Sequence, residues 1–306
     1  QTATWSCTWA FPEDDSAAPR LVSLQLESYE QVAVNAPGGR LFIDCAAAAL
    51  RDCPSYPAQV MLGVNDWQDR TSSQFIGLFG HNGLAVGDVN GDLLDDLYVC
   101  DVNGLPNHLY IQQADGTLQE TSSESGVDFL DDSSSALLVD LDNHGDQDLV
   151  VAVAPILQIA ENNGSGKFRL LPPIRVECES TSISACDFDT DGDLDLFICG
   201  NNVRQRGSAE RDLTMPVPYY DANNGGQNFM LRNEGGWKFN DVTAAVGLAD
   251  NNTRFSMAAA WEDFDDDGDQ DLYVANDFGR NNLFRNDGGR FTDIAKAAGV
   301  EDHASG

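Results

Sequence analysis

The sequence predicts an all-β chain, a β-propeller of four-stranded blades with cation-binding loops, and three observations carry the prediction. An acidic stretch, Asp263-Phe-Asp-Asp-Asp-Gly-Asp-Gln-Asp271-Leu272, recurs as Asp187–Leu196, Asp140–Leu149 and Asp88–Leu97. Each copy lies between strand-like flanks: small and apolar residues upstream (Leu84–Gly87, Ala136–Val139, Ala258–Trp261), bulkier ones downstream (Leu97–Cys100, Leu149–Ala152, Leu196–Cys199, Leu272–Ala275). The copies start about 40–50 residues apart except for one longer interval, and four strands in that span is the period of a propeller blade.

Taken in order, residues 1–20 hold Trp5, Cys7, Trp9, Pro12 and a short acidic run, and predict an irregular, extended N-terminal segment. A strand pattern begins at Leu21, and the propeller is expected over 21–306 with insertions near 51–77 and 201–227. Gly38–Leu50 is similar to Gly235–Leu248 and Gly288–Val300. These pieces read as the other half of the repeat: a strand, a Gly-rich hairpin and a second strand. The turns are Ala114-Asp-Gly, Asn162-Asn-Gly-Ser-Gly, Asn233-Glu-Gly-Gly and Asn286-Asp-Gly-Gly. Small residues before each acidic loop suit the crowded strand nearest a propeller axis. The trailing strands supply the bulk between blades, since such units bury their faces only by stacking.

Counted this way, the chain holds two outer strands of one blade (about 21–45), three whole blades and a fourth ending near Ile294, about four and a half in a range of 4–8. The expectation is that the natural protein continues past Gly306, with 21–45 completing the last blade by strand exchange. The alternatives are a partner chain that completes the ring and an open arc within an assembly.

The loop reads D-x-D-x-D-G-x-x-D-L. Oxygens at positions 1, 3, 5 and 9 converge only if the chain coils around a cation, and without one so many carboxylates would repel each other. A hard ion taking 6–8 oxygens, Ca²⁺, fits. The glycine at position 6 permits the sharp turn. The loop is not an EF-hand, because position 12 is Val99, Val151, Ile198 or Val274 where that motif needs a bidentate Glu. The third and fourth copies are complete. The second has His144 at position 5, and imidazole is a poor Ca²⁺ ligand, so this site is expected to be the weakest. The first has Asn90 at position 3 and Leu93 where the glycine should be.

Over 306 residues, Lys+Arg number 17 against Asp+Glu 50, a formal net charge of −33. That field makes nucleic acid and anionic membrane surfaces poor partners. The 42% hydrophobic content and regular strand signals argue against disorder. No run approaches the roughly 20 apolar residues of a membrane span. The chain starts at Gln1, which suggests a removed export signal, and Ca²⁺ loops make most sense outside the cytosol. None of the seven cysteines forms C-x-x-C. Cys45 with Cys53 and Cys178 with Cys186 are near enough in sequence to pair, or several are buried thiols.

The D-x-D-x-D-G-x-x-D-L-Y-V copies, with Asn281-Asn-Leu-Phe-Arg-Asn286 and Ala298-Gly-Val300, resemble the FG-GAP/VCBS repeats of the integrin α-type β-propeller. The likeness is strongest to secreted bacterial proteins related to cartilage acidic protein, which often carry an ASPIC/UnbV module; none is recognisable in these residues. It covers about residues 75–306, more weakly 21–50, and implies seven blades in the complete protein. It also implies up to four Ca²⁺ ions, held by side chains at positions 1, 3, 5 and 9 and the carbonyl at position 7. These are Asp88, Asn90, Asp92, Leu94 and Asp96; Asp140, Asp142, Asp146 and Asp148; Asp187, Asp189, Asp191, Asp193 and Asp195; and Asp263, Asp265, Asp267, Asp269 and Asp271.

The functional expectation is a secreted, Ca²⁺-stabilised module that binds or adheres to an extracellular protein or glycan. Propeller function often sits on inserted loops. In the 201–227 insertion, Arg204, Arg206, Arg211, Tyr219 and Tyr220 are the candidate ligand-binding residues, unless that loop only covers blade edges. One alternative is a structural subunit that self-assembles into an extracellular fibre, coat or matrix. Another is a polysaccharide-active enzyme, although none of the four histidines sits in a Ser/His/Asp or H-E-x-x-H setting.

Overall fold

The computed structural model describes residues 2–10, 20–30, 42–70, 83–102, 104–203 and 214–301. Contacts divide the chain into two units, Gln1–Ala46 and Ala47–Gly306.

The first unit is a hairpin of β1 (Thr2–Ala10) and β2 (Arg20–Glu30). The strand expected from Leu21 is present, but it pairs with the segment expected to be irregular. The run Thr-Ala-Thr-Trp-Ser-Cys-Thr-Trp-Ala places strand-favouring Thr and Trp at five of its nine positions. Trp5, Cys7 and Trp9 stand opposite Leu26, Leu24 and Leu21 in the register.

Among the described residues the second unit contains four antiparallel sheets, three of four strands and one of five, each with its first four strands in sequence order. The first has β3 (Leu84–Gly87), β4 (Asp96–Val99), β5 (His108–Gln112) and β6 (Leu118–Glu120). The second has β7 (Ser133–Val139), β8 (Asp148–Val153), β9 (Ile156–Asn162) and β10 (Phe168–Leu170), with β11 (Ile174–Arg175) also paired to β9. The third has β12 (Cys178–Cys186), β13 (Asp195–Val203), β14 (Phe229–Asn233) and β15 (Phe239–Asp241). The fourth has β16 (Ser256–Glu262), β17 (Asp271–Asn276), β18 (Asn282–Asn286) and β19 (Phe291–Asp293). The fold is all-β and of the β-propeller kind, each sheet being one blade with its acidic loop between the first two strands.

The core lies between blades. Side chains alternate across a strand, so one strand can serve two interfaces. Leu149 and Val151 of β8 pack with Tyr98 and Leu109 of the first blade, whereas Val150 and Ala152 pack with Leu196 and Ile198 of the third. Phe197, Cys199 and Met230 meet Leu272, Val274 and Phe284 between the third and fourth blades. Among the described residues, the other face of the first blade is covered by the stretch 50–60, which includes a π-helical turn. The chain forms α1 (Ala46–Ala49) at the end of the piece expected as half a repeat, then a π-helical turn (Tyr56–Val60) and α2 (Val64–Arg70) in the region expected as an insertion. Leu50, Cys53, Tyr56 and Val60 pack on Leu97, Val99, Tyr110 and Leu118. Ser55 Oγ donates to Glu120 Oε2 (2.6 Å), and Gln59 Nε2 donates to Asp101 Oδ2 (2.6 Å) and Pro106 O (2.8 Å).

The repeat also carries short helices that the strand-hairpin-strand reading lacks. After the fourth strand of two blades the chain turns into α3 (Ser122–Ser125) and α4 (Ala295–Ala298). Gly126 and Gly299 follow them in the left-handed conformation that commonly stops a helix. All seven cysteines are free thiols. Cys178 and Cys186 lie at opposite ends of β12, too far apart along an extended strand to bond.

Candidate metal sites and an exposed loop

Each acidic loop is coiled by its own carboxylates. The position-1 side chain accepts the N–H groups of positions 5 and 6. Asp187 takes those of Asp191 (3.1 Å) and Gly192 (3.0 Å), and Asp263 those of Asp267 (3.1 Å) and Gly268 (2.9 Å). Asp140 does the same with His144 and Gly145, and Asp88 with Asp92 and Leu93. The coil needs positive φ at positions 4 and 6. Position 6 has φ 91°, 96° and 99° at Gly145, Gly192 and Gly268. Leu93 adopts the same turn at φ 67°, with its side chain 91% exposed.

A left-handed L-residue costs about 1–2 kcal/mol, and glycine recovers it less the roughly 0.5–1 kcal/mol of its greater unfolded freedom. Leu93→Gly is therefore expected to stabilise the protein by about 0.5–1 kcal/mol in urea unfolding. Because so exposed a side chain has little packing to lose, a decrease in stability would contradict this account of the turn.

The position-9 carboxylates are buried and join the loop to the third strand. Asp195 Oδ2 accepts Phe188 N–H (3.3 Å) and its Oδ1 accepts Asn233 N–H (2.8 Å). Asp96, Asp148 and Asp271 make the same pair of bonds, to Val89 and Gln112, Leu141 and Asn162, and Phe264 and Asn286. Burial pushes Asp148 and Asp195 up to about 7 despite these bonds, with crowding by neighbouring carboxylates adding to it. Burial also raises Asp96, Asp146 and Asp189.

Three of the loops gather positions 1, 3 and 9. Ligand oxygens of Asp140, Asp142 and Asp148, of Asp187, Asp189 and Asp195, and of Asp263, Asp265 and Asp271 lie within 4.8 Å of one another. Such all-carboxylate sets suit a hard, oxygen-seeking cation. Asp189 Oδ1 is buried without a hydrogen-bond partner, as expected of an atom reserved for an ion.

Position 5 lies outside these groups. Asp191 and Asp267 instead accept the N–H of Asp193 and Asp269 (3.0 Å each). His144 turns Nδ1 to Asp142 Oδ2 (2.8 Å) and removes no member of its group. The first loop differs more. Asn90 donates to Asp92 Oδ2 (3.1 Å) and accepts Asp92 N–H (3.0 Å), so only Asp88 and Asp96 supply carboxylates at positions 1, 3 and 9.

In the sequence Asn162, Asn233 and Asn286 read only as turn residues. They are buried bridges between blades. Asn162 Nδ2 donates to Val89 O (2.8 Å), Asn233 Nδ2 to Leu141 O (2.8 Å) and Asn286 Nδ2 to Phe188 O (2.8 Å). Each acceptor is position 2 of the preceding blade's loop. The same Nδ2 atoms reach Gln147 O, Leu194 O and Gln270 O, position 8 of their own loops. The signal was an asparagine closing the third strand before a Gly turn three times. Gln112 ends the third strand of the first blade.

Of the candidate ligand residues, Arg204, Arg206 and Arg211 lie outside the described residues. Tyr219 and Tyr220 are exposed, on a segment stitched to the third blade's second strand and the fourth blade's connections. Ala222 N–H donates to Phe278 O (2.9 Å), Gly225 N–H to Thr253 O (2.8 Å) and Gly226 N–H to Asn201 O (2.7 Å).

Ser55 and His108 both bond Glu120, His108 through Nδ1 at 2.8 Å. The carboxylate stands between them, so the imidazole is not placed to take the hydroxyl proton.

Comparison with known proteins matches residues 88–151 and 140–198 to the FG-GAP-like repeat. Cartilage acidic protein 1 of Xenopus tropicalis is 31% identical over 146 residues, covering 43% of this chain and 21% of that protein. The Homo sapiens protein of the same name is 26% identical over 141 residues, covering 44% and 21%. The chain thus spans about a fifth of the length of these relatives. Among solved structures, an Agrocybe aegerita lectin described for specific recognition of non-reducing terminal N-acetylglucosamine aligns with 73% of this chain and 56% of its own. Its TM-score is 0.43 at 14% identity. The chain carries FG-GAP-like repeats and is similar to cartilage acidic protein 1. Among the described residues, no helix is long and apolar enough to cross a membrane.

Proposed function

We propose that these FG-GAP-like repeats form a secreted, calcium-stabilised propeller module that binds or adheres to an extracellular partner. The observation that carries the calcium reading is the triple gathering of carboxylates at positions 1, 3 and 9, each group including a buried member. Ca²⁺ supplies the positive charge that lets these groups ionise together; the chain supplies the coil that points them at one place. The third and fourth loops, with the full acidic set and the glycine, are the tightest sites. The second keeps its three carboxylates. The first, with Asn90 and Leu93, is the weakest, a different order from the one His144 suggests in sequence. The exposed segment around Tyr219 is the recognition surface.

Calcium dependence should be visible in stability and should change with pH. Asp148 and Asp195 have folded values near 7 against an ordinary 3.8, so without the ion the folded state holds protons that the unfolded chain releases. Ion-free stability therefore falls as pH rises from about 4 to 7. Ca²⁺ needs the ionised groups, so its stabilisation grows over the same window, reaching about 2.7 kcal/mol per site at 100-fold excess over Kd. Thermal unfolding of calcium-depleted protein, with and without added Ca²⁺ at pH 5 and pH 8, checks both trends. No rise in Tm on adding Ca²⁺ at pH 8 would refute the calcium reading.

A further inference from the structure

The segment 214–226 carries an exposed apolar stretch over 215–220, yet is firmly held. Met215, Val217, Tyr219 and Tyr220 are 70%, 67%, 69% and 63% exposed. Asn224 fixes the backbone beneath them, accepting Val217 N–H (2.9 Å) and donating to Met215 O (2.9 Å). Tyr219 rests on Phe278 with ring centroids 5.1 Å apart, and Phe278 stands edge-on to buried Phe255 at 5.4 Å. The aromatic stack leaves much of the Tyr219 ring to solvent and limits its freedom to move, the preorganisation that favours ligand contact. The tyrosine hydroxyls are polar handles beside these apolar faces.

Charge narrows the ligand class. The groups that fasten the segment cancel: Asp221 lies between Arg254 (3.0 Å) and Arg280 (3.5 Å), and Arg280 also meets Glu301 (2.7 Å). Arg254 and Arg280 are already engaged, and a chain of net charge −33 repels an anion. The paired carboxylates offer a cation no unpaired acid among these groups. Area narrows it again. Four side chains of this size present roughly 500 Å² if fully covered, below the about 800 Å² per partner of a stable protein interface. An uncharged ligand with small apolar faces and many hydroxyls fits best. Sugar rings have this chemistry, since their C–H faces stack on aromatic rings while their hydroxyls bond polar neighbours.

We propose that Tyr219 and Tyr220 form a platform for a neutral oligosaccharide. This rests on the reading of the segment as the recognition surface of a binding module. The test is titration calorimetry on the full chain with saturating Ca²⁺. The probes are neutral hexasaccharides of glucose, mannose and N-acetylglucosamine, and a hexauronate as the anionic control. At least one neutral probe should bind and the hexauronate should not. Tyr219→Ala should weaken binding about tenfold, the scale of one lost aromatic contact, with little change in Tm. Tyr219→Phe should weaken binding less than Tyr219→Ala, since it keeps the ring and loses only the hydroxyl, and Asn224→Ala should weaken it by loosening the segment.

Absence of binding to every neutral probe, indifference to Tyr219→Ala, or equal binding of the hexauronate would overturn the proposal. A second arm immobilises a deglycosylated extracellular-matrix extract. Tyr219-dependent retention there, with no sugar binding, overturns the glycan assignment but leaves the recognition surface standing. Failure in both arms removes both.

Discussion

Asp195→Ala is expected to lower stability by about 3–5 kcal/mol: two orphaned buried N–H groups at about 1–3 kcal/mol each, plus the vacated volume. Asp195 is fully buried and accepts from both Phe188 and Asn233, so it ties the third loop to the third strand of its blade. Most of this loss should remain without calcium, because the orphaned groups do not depend on an ion. Asp189→Ala tests the other role. Its Oδ1 has no hydrogen-bond partner, and burial with the nearby Asp191 carboxylate holds the group above its usual range. Its removal should cost stability only when Ca²⁺ is present. Urea unfolding of both variants with Ca²⁺ and with chelator separates the two. If chelation erased the whole Asp195→Ala effect, that residue would be a ligand and nothing more.

Asn233→Ala should cost about 2–4 kcal/mol by leaving buried carbonyls of adjoining blades without their donor. Asn233 Nδ2 bonds Leu141 O (2.8 Å) and Leu194 O (3.3 Å), and its Oδ1 accepts Gly235 N–H (3.1 Å). Asn233→Asp is nearly the same size yet should be worse than alanine, because it sets a carboxylate against two carbonyl oxygens inside the protein. Denaturation of both variants at pH 8 checks the order. A stability for Asn233→Asp equal to wild type would mean that the amide donor carries no energy between blades.

Much of the carboxylate clustering was legible because its parts are close in sequence. Asp187, Asp189 and Asp195 reach one place through a single coil, so their spacing is already geometry. The bridges were not legible, because Asn286 and Phe188 are distant in sequence and neither side chain names the other. The β1–β2 hairpin was missed because Pro12 and the acidic residues after Trp9 drew attention from the Thr/Trp alternation before them. The short helix at Ala295–Ala298 was hidden in an apolar run that reads equally as strand or helix until Gly299 is taken as its stop. His144 leaves the clustered carboxylates of positions 1, 3 and 9 in place. Leu93 stands where the turn calls for glycine, yet the coil forms with its side chain in solvent.

The asparagine bridges also set an order of assembly. The paired residues are separated by 73, 92 and 98 positions, always with the later blade supplying the donor. During synthesis, which adds about 5–20 residues per second, each acidic loop must wait several seconds for the residue that closes it from behind. Until then Val89 O, Leu141 O or Phe188 O faces the solvent beside an apolar face awaiting its neighbour. The first blade has support of its own, because the Leu50–Val60 stretch that packs on its other face leaves the ribosome before it does. Growth is thus directional, starting from a supported blade and adding one sheet at a time, with the newest face of the nascent chain as the place where a chaperone or a wrong partner would bind.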